Sequence, residues 1–423
     1  MNQILKVRNF LVLKKVDIEV KKINVIIGPQ ANGKSLIAKL LYFFQNVSKE
    51  FIGGIRAQST KRELDKKIID EFESKFPRYS WENSSFKIQY LIDGIYFSIL
   101  GEKNTRGKTS ISVNYSEDLV RLFNNKKRLY KKRLAEYKEQ EKKDGRILDA
   151  ERRVMFEHII EPMKDERCSA FFSESVFIPA SRSFFANLQK NIFTFLASNL
   201  DIDPFLKEFG SLYETSKRMY KDSFFLRKHK ALLEDMYRAL EAIVNGDYEY
   251  HDEQDWIISK GKRINLANAS SGQQESLPML LVLCVWPMLR NSGQGSMFFI
   301  EEPEAHLFPT SQGYIVSILS LLYNNLGTNF FVTSHSPYIL SALNNFILAS
   351  DAVECGKISN EEFLKLNGSG LPVKFEDVSA YTIIHGESEL ICDSEYRMVG
   401  GEILDGVSEH FESVMNELLL SER

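Results

Sequence analysis

One eight-residue stretch constrains this chain more than any other. Gly28-Pro29-Gln30-Ala31-Asn32-Gly33-Lys34-Ser35 fits the spacing GxxxxGK[ST]. Before it, Ile23 to Ile27 is nearly all apolar, the pattern of a strand covered on both faces. After it, residues 36–44 carry apolar side chains at helical spacing. A glycine-rich turn between strand and helix aims backbone N–H groups and the positive end of the helix at phosphate oxygens. In that arrangement Gly28, Pro29, Gln30, Ala31, Asn32, Gly33, Lys34, Ser35 and Leu36 cradle a nucleotide's phosphates. Lys34 then bridges the last two phosphates, and the Ser35 hydroxyl takes Mg²⁺.

Three later segments carry matching chemistry. Four apolar residues, 297–300, lead into Glu301-Glu302-Pro303. At a strand end one carboxylate holds Mg²⁺ and the next orients the attacking water, and phosphoryl transfer needs little beyond positioning and charge neutralisation. Glu301 is assigned to the metal and Glu302 to the water. A second buried strand is expected at 329–333 and ends in Ser334-His335-Ser336, which puts His335 within reach of a γ-phosphate oxygen. The third segment, Ser270-Ser271-Gly272-Gln273-Gln274-Glu275, reads as a small-residue turn opening a helix. It serves as an anion site at a helix N-terminus. It also fits a capping box with Ser271 as cap and Gln274 three residues on. The two readings are compatible.

Taken in order, the phosphate loop, SSGQQE, EEPEAHLFP and SHSP resemble the Walker A, signature, Walker B with D-loop, and H-loop of ABC-type ATPases in their SMC/RecF/OLD-like branch. The likeness covers roughly residues 1–50 and 175–345. It implies a two-lobe α/β fold of mixed sheets with flanking helices, and ATP and Mg²⁺ as cofactors. It also implies a homo-oligomer in which ATP is sandwiched, Ser271 and Gly272 of one copy meeting the γ-phosphate held by Lys34 of the other. Three departures stand out. Glu301 replaces the usual Walker B aspartate, as in the OLD-like subgroup. Gln273 replaces the second signature glycine. No Q-loop glutamine is evident, and Ile178-Pro179-Ala180-Ser181-Arg182 stands instead. For Arg182 two roles remain open, contact with the nucleotide and a structural ion pair.

The rest of the chain divides by pattern. Residues 1–115 form an N-terminal lobe in which 85–115 read as a small antiparallel sheet, with Asp93-Gly94 as a hairpin turn. Residues 116–165 change character. Leu122, Phe123, Leu129, Tyr130, Leu134 and Tyr137 recur at near-heptad spacing, Asp144-Gly145 interrupts, and Ile147, Leu148, Val154, Met155 and Ile159 resume. An inserted helical hairpin is expected, its first helix about 39 Å long at 1.5 Å per residue. Residues 166–350 form the C-terminal lobe, with helical patterns over 184–244 and a hairpin near 247–267. Residues 351–423 form an α/β tail with a closing helix from Ile403 to Leu420.

The net charge is −3, so any polyanion contact must be local. Residues 121–153 hold 13 Lys/Arg against 6 Asp/Glu. That excess suits DNA phosphates or an acidic protein. It equally suits a solvated helix pair laced with i,i+4 charge pairs. The densest apolar run, 277–289, contains Pro278 and Pro287 and is too short for a bilayer, so no membrane association is expected. The N-terminus has no signal-peptide pattern. Cys168, Cys284, Cys355 and Cys392 are widely spaced, so a reduced, cytoplasmic setting is expected.

ATPases of the OLD-like group include chains that carry a TOPRIM nuclease domain. Beyond His335 this sequence offers Asp393-Ser394-Glu395 but no acidic array on strand ends. The resemblance is therefore to stand-alone ATPase subunits of bacterial anti-phage systems, PARIS first and Septu next. That implies a sensor or scaffold that answers a phage protein and controls a separate nuclease subunit. The alternatives are a RecF/SMC-like DNA-repair ATPase and an ATP-binding transporter subunit. The missing Q-loop and the insertion at 50–175 count against the transporter.

Overall fold

The computed structural model describes residues 2–105, 107–144, 149–163, 175–188, 202–221, 228–289 and 296–400, together with 413 and 415. It is a mixed α/β protein that divides into two compact units. One comprises Met1–Val20, Ala31–Val176 and Ile384–Ser388; the other comprises Lys21–Gln30, Phe177–Ile383 and Glu389–Arg423.

The first unit is built on antiparallel strands. β1 (Gln3–Phe10) and β2 (Leu13–Val20) are followed by β3 (Ile23–Ile27), which belongs to the other unit. Next come α1 (Lys34–Arg56), α2 (Lys61–Lys75), β4 (Phe86–Ile92), β5 (Ile95–Lys103) and β6 (Thr109–Tyr115). The strand order is β6-β5-β4-β1-β2, each pair antiparallel. The sheet expected at 85–115 is present and is extended by β1. Alternation sets its buried face: Leu5 and Val7 on β1, Ile88 and Tyr90 on β4, and Phe97 and Ile99 on β5 are all fully buried. Phe10, Phe43, Phe72, Phe76 and Phe86 pack with ring centroids 4.8–6.4 Å apart. Aromatic pairs of this kind contribute about 0.5–1.5 kcal/mol each beyond their area. Trp81 joins them and satisfies its indole N–H on the Phe76 carbonyl at 2.8 Å. Thr60 and Glu63 form a capping box at the start of α2.

The same unit carries α3 (Glu117–Asp144), 28 residues long. It packs through Leu119, Phe123 and Tyr130 and exposes its other faces. A short α4 (Ala150–Val154) widens into a π-turn over Met155–Ile160 and runs back along it. Tyr137 bonds Glu157 at 2.8 Å across the pair. Between the two helices, Ile147 and Leu148 lie outside the described residues.

The second unit holds the parallel strands. β7 (Ser175–Ile178) leads into it. Helices α5 (Pro204–Met219) and α6 (Lys230–Val244) account for part of the 184–244 pattern; 189–201 and 222–227 lie outside the described residues. The hairpin expected at 247–267 is a three-stranded meander, β8 (Asp247–His251), β9 (Gln254–Ser259) and β10 (Lys262–Asn265). The short Lys260-Gly261 turn, with Gly261 at φ 74°, adds the third strand. Then follow α7 (Ser271–Leu289), β11 (Met297–Glu301), α8 (Pro309–Leu326), β12 (Asn329–Ser334) and α9 (Pro337–Glu354). The tail adds α10 (Asn360–Asn367), β13 (Val378–Ile384) and a two-stranded β15 (Cys392–Asp393) and β16 (Met398–Val399), while β14 (Glu387–Leu390) starts in the first unit, to which Ile384–Ser388 belong. The closing helix expected at 403–420 lies outside the described residues apart from 413 and 415, both helical.

Within this unit the order is β13-β3-β12-β11-β7, and β13/β3, β3/β12 and β12/β11 are parallel. Strands β3, β11 and β12 are buried along nearly their whole length, as parallel strands covered on both faces are. Asn24 is the polar residue inside β3. It is fully buried, and its amide bonds the Lys21 and Phe330 carbonyls at 2.7 and 2.9 Å and accepts from Lys21 N–H. Helix α7 is buried almost all round and continues through Pro278 and Pro287. Among the described residues no helix is long and apolar enough to cross a membrane.

Candidate active site

Parallel pairing places the carboxyl ends of three strands at one edge. Ile27 of β3 sits opposite Ser334 of β12, and Thr333 sits opposite Glu301 of β11. The residues that follow each strand, Gly28, Glu302 and His335, therefore emerge side by side. Open α/β sheets bind ligands at this edge.

The phosphate loop leaves β3 and enters α1. Gly28, Ala31 and Gly33 have φ of 145°, 62° and 91°. Left-handed residues interleaved with right-handed ones turn successive N–H groups to one side, which makes an anion-binding concavity. A Cβ on Gly28 would stand 3.1 Å from the Ile383 carbonyl oxygen, and one on Gly33 would stand 2.5 Å from the Leu13 side chain. Both glycines are required by angle, and at Gly28 the backbone oxygen of Ile383 also leaves little room for a side chain. Gly33 caps α1 without any side-chain hydrogen bond. Pro29, Gln30 and Ala31 are exposed, Asn32, Ser35 and Leu36 are half-buried, and Lys34, the first residue of α1, is buried.

The turn after β11 is tightly held. Glu302 has φ 43°, and its N–H donates to Thr333 O at 2.9 Å. Left-handed backbone at a residue other than glycine stores strain and concentrates at functional positions. Glu302 Oε1 lies 3.2 Å from His335 Nε2, so the two residues assigned to hydrolysis meet. Glu301 is 4% exposed, and its Oε2 accepts from Ala180 N–H at 3.1 Å. Glu304 is also buried; its Oε1 accepts from Ser334 Oγ at 2.7 Å and His335 N–H at 2.6 Å. Ser336 Oγ donates to Gln312 at 2.6 Å and caps α9 through Tyr338 N–H.

Arg182 is fully buried and forms hydrogen bonds within the protein. Its Nε donates to Glu275 O at 2.8 Å, Nη1 to Pro179 O at 2.8 Å and Glu301 O at 2.7 Å, and Nη2 to Glu302 O at 2.9 Å. The Glu275 carboxylate accepts from Arg182 N–H at 2.9 Å and Ser183 N–H at 3.1 Å. Burial lowers the Arg182 pKa, and Glu275, Glu301, Glu304 and Glu302 oppose that shift. Removing one partner of such a buried charge costs about 3–5 kcal/mol, since the other is left uncompensated. Of the two roles open for Arg182, the structural one describes these contacts.

The signature segment departs from its expected capping. Ser270, not Ser271, is the N-cap of α7, and Gln273, not Gln274, completes the box: Ser270 N–H donates to Gln273 Oε1 at 3.0 Å and Gln273 N–H to Ser270 Oγ at 3.4 Å. The sequence carries serine at both positions, so the register could not be read from spacing alone. Gln273 Nε2 also reaches Val244 O at 2.6 Å, which gives the residue replacing a glycine an internal task. Gln274 Nε2 instead faces the carbonyls of Leu266, Ala267 and Ala269, each at 3.2 Å. Ser271 and Gly272 form the first turn. A Cβ on Gly272 would stand 2.7 Å from His306 O, so glycine lets α7 close onto the turn after Glu302.

Three contributors escaped the sequence reading. Glu275 and Glu304 were visible only as parts of motifs, and β13, which flanks β3, only as a short strand in the tail. In the basic segment, Arg128, Lys131 and Lys132 are exposed, Lys126 is buried, and Lys127 Nζ donates to Ser59 O at 3.0 Å. Asp393 of the tail accepts from Glu395 and Tyr396 N–H at 2.8 and 2.9 Å, as a turn-forming aspartate does.

The sequence profile described as AAA ATPase domain matches residues 1–340. A search of curated proteins returns no match. The fold is similar to the SMC head domain from Thermotoga maritima (10% identity, TM-score 0.35, covering 92% of this chain and 98% of that one). It is similar to the Smc head domain of Pyrococcus furiosus with an extended coiled coil, bound to the C-terminal domain of ScpA (12% identity, TM-score 0.38, covering 98% and 99%). It is also similar to the recombination mediator protein RecF-ATPrS of the RecFOR pathway (14% identity, TM-score 0.32, covering 92% and 98%).

Proposed function

This chain belongs to the AAA ATPase domain family, and on that premise we propose that it is the ATP-hydrolysing sensor subunit of an anti-phage defence complex that controls a separate nuclease. The observation that carries the catalytic part is the 3.2 Å approach of His335 Nε2 to Glu302 Oε1 beside the strand that delivers Gly28. The loop from Gly28 to Leu36 wraps the phosphates, with Lys34 on the terminal two. Glu302 orients the attacking water, and His335 steadies Glu302 and faces the γ-phosphate. Ser35 and Glu301 would offer the hard oxygen donors that Mg²⁺ takes, and the ion would neutralise phosphate charge. Two copies pair head to tail, and Ser271 and Gly272 of each approach the nucleotide of the other. The motif order and the EEPEAHLFP segment support the defence reading.

A second reading, a RecF/SMC-like repair ATPase, is favoured by one observation: Arg128, Lys131 and Lys132 are exposed along α3, where phosphates could meet them. The test is to recover tagged Glu302→Gln protein with ATP from its native host and identify what accompanies it by mass spectrometry. A stoichiometric nuclease subunit is the expected result. Recovery of only DNA and repair proteins would put the second reading in its place.

A further inference from the structure

Around the strand edge, the side chain that touches most of the machinery is one that no step of the proposed reaction uses. Arg182 lies on the loop after β7, and its guanidinium spans three segments of the same unit: its own loop at Pro179, the first turn of α7 at Glu275, and the end of β11 at Glu301 and Glu302. The Glu275 carboxylate completes the ring by receiving the backbone N–H groups of Arg182 and Ser183. A planar fork can hold several carbonyls in fixed directions, which an ammonium cannot do. Glu302 needs such holding. Its backbone is left-handed at φ 43°, and its own carbonyl is shared between Arg182 and Ala305 N–H, the latter at 3.1 Å. A second contact joins the same partners, since Gly272 sits where any Cβ would strike His306 O.

We propose that Arg182 is a positioning residue for hydrolysis: it locks the Glu302 backbone to the start of α7, so that the water-orienting carboxylate and the Ser271-Gly272 turn keep one fixed relation. The proposal rests on the reading that Glu302 orients water. It makes Arg182 act on turnover through Glu302 and leaves ATP binding largely alone.

A double-mutant cycle on the full-length protein tests this. ATP affinity, KM, kcat and thermal midpoint are measured for wild type, Arg182→Lys, Glu302→Gln and the double variant. Arg182→Lys keeps a cation of similar length and loses the fork. Its kcat should fall between about tenfold and a hundredfold, the scale of misplacing a catalytic group by an ångström. Affinity for ATP should stay within about threefold, the signature of an interaction used only in the transition state. In the Glu302→Gln background the same change should cost nothing further. A folded Arg182→Lys protein with wild-type kcat overturns the proposal, and so does a loss that adds in full to that of Glu302→Gln. If Arg182→Lys does not fold, Glu275→Gln is put through the same cycle and judged by the same outcomes. Wild-type turnover by Glu302→Gln sinks the reading of Glu302 itself, and a slow Glu302→Gln with an additive or silent Arg182→Lys sinks only the positioning role.

Discussion

Charge is handled in opposite ways by the turn at residues 301–304 and by the long helix α3. Around the turn, Glu275, Glu301 and Glu304 are each less than a tenth exposed and surround a fully buried Arg182. Their oxygens and its nitrogens are spent largely on backbone groups. On α3 several charges face water, although Lys126 is buried. Arg121 pairs with Glu117 at 3.1 Å with side chains 71% and 88% exposed, and Arg133 pairs with Glu136 at 2.9 Å. Exposed helical pairs contribute about 0.3–0.5 kcal/mol each, whereas breaking a buried pair costs several times more. The lesson is that residue type does not tell what a charge is for. Buried charges here fix the path of the backbone, and exposed ones leave a face available to a partner.

The comparison can be broken first at the turn. Gly272→Ala sets a methyl group 2.7 Å from His306 O, a backbone atom with no side-chain freedom to yield. Overpacking of this kind costs about 1–3 kcal/mol, so thermal unfolding should shift down and turnover should fall with it. An unchanged midpoint and an unchanged rate would show that the turn and α7 are not tightly coupled. The smaller effect lies on α3. Replacing Arg128, Lys131 and Lys132 together by glutamate should leave stability within about 0.5 kcal/mol, as surface changes usually do. Binding to a short DNA duplex or to a captured partner should weaken, more so at low salt. If association is unchanged, the charges only solvate the helix.

What could be read from the sequence was local. The Gly28-to-Ser35 loop, the apolar strands before Gly28, Glu301 and Ser334, and the hairpin at Asp93-Gly94 all follow from spacing within a few residues. The misses have a shared cause. β13 pairs with β3 across more than 350 residues of sequence, and no periodicity in either strand announces the other. The capping register at Ser270 depended on which of two adjacent serines the α7 helix starts after, and the carbonyls of Val244 and of 266–269 decide that. The role of Arg182 follows from its burial and its four carbonyl partners, which no local pattern encodes. Glu304 looked like one more acid in a motif, and its task, holding Ser334 and His335, is set by the β11/β12 register.

In the proposed mechanism Glu302, in its left-handed turn against His335, orients the water that hydrolyses ATP, and Lys34 binds the nucleotide. The most direct measurement is nucleotide affinity and single-turnover hydrolysis by Glu302→Gln beside wild type, with Lys34→Ala as the control for binding. Glu302→Gln should keep wild-type affinity with hydrolysis slowed by about 10²–10³, the range seen when one transition-state contact is removed, and Lys34→Ala should lose binding. Hydrolysis by Glu302→Gln at the wild-type rate, or full affinity in Lys34→Ala, would contradict this mechanism.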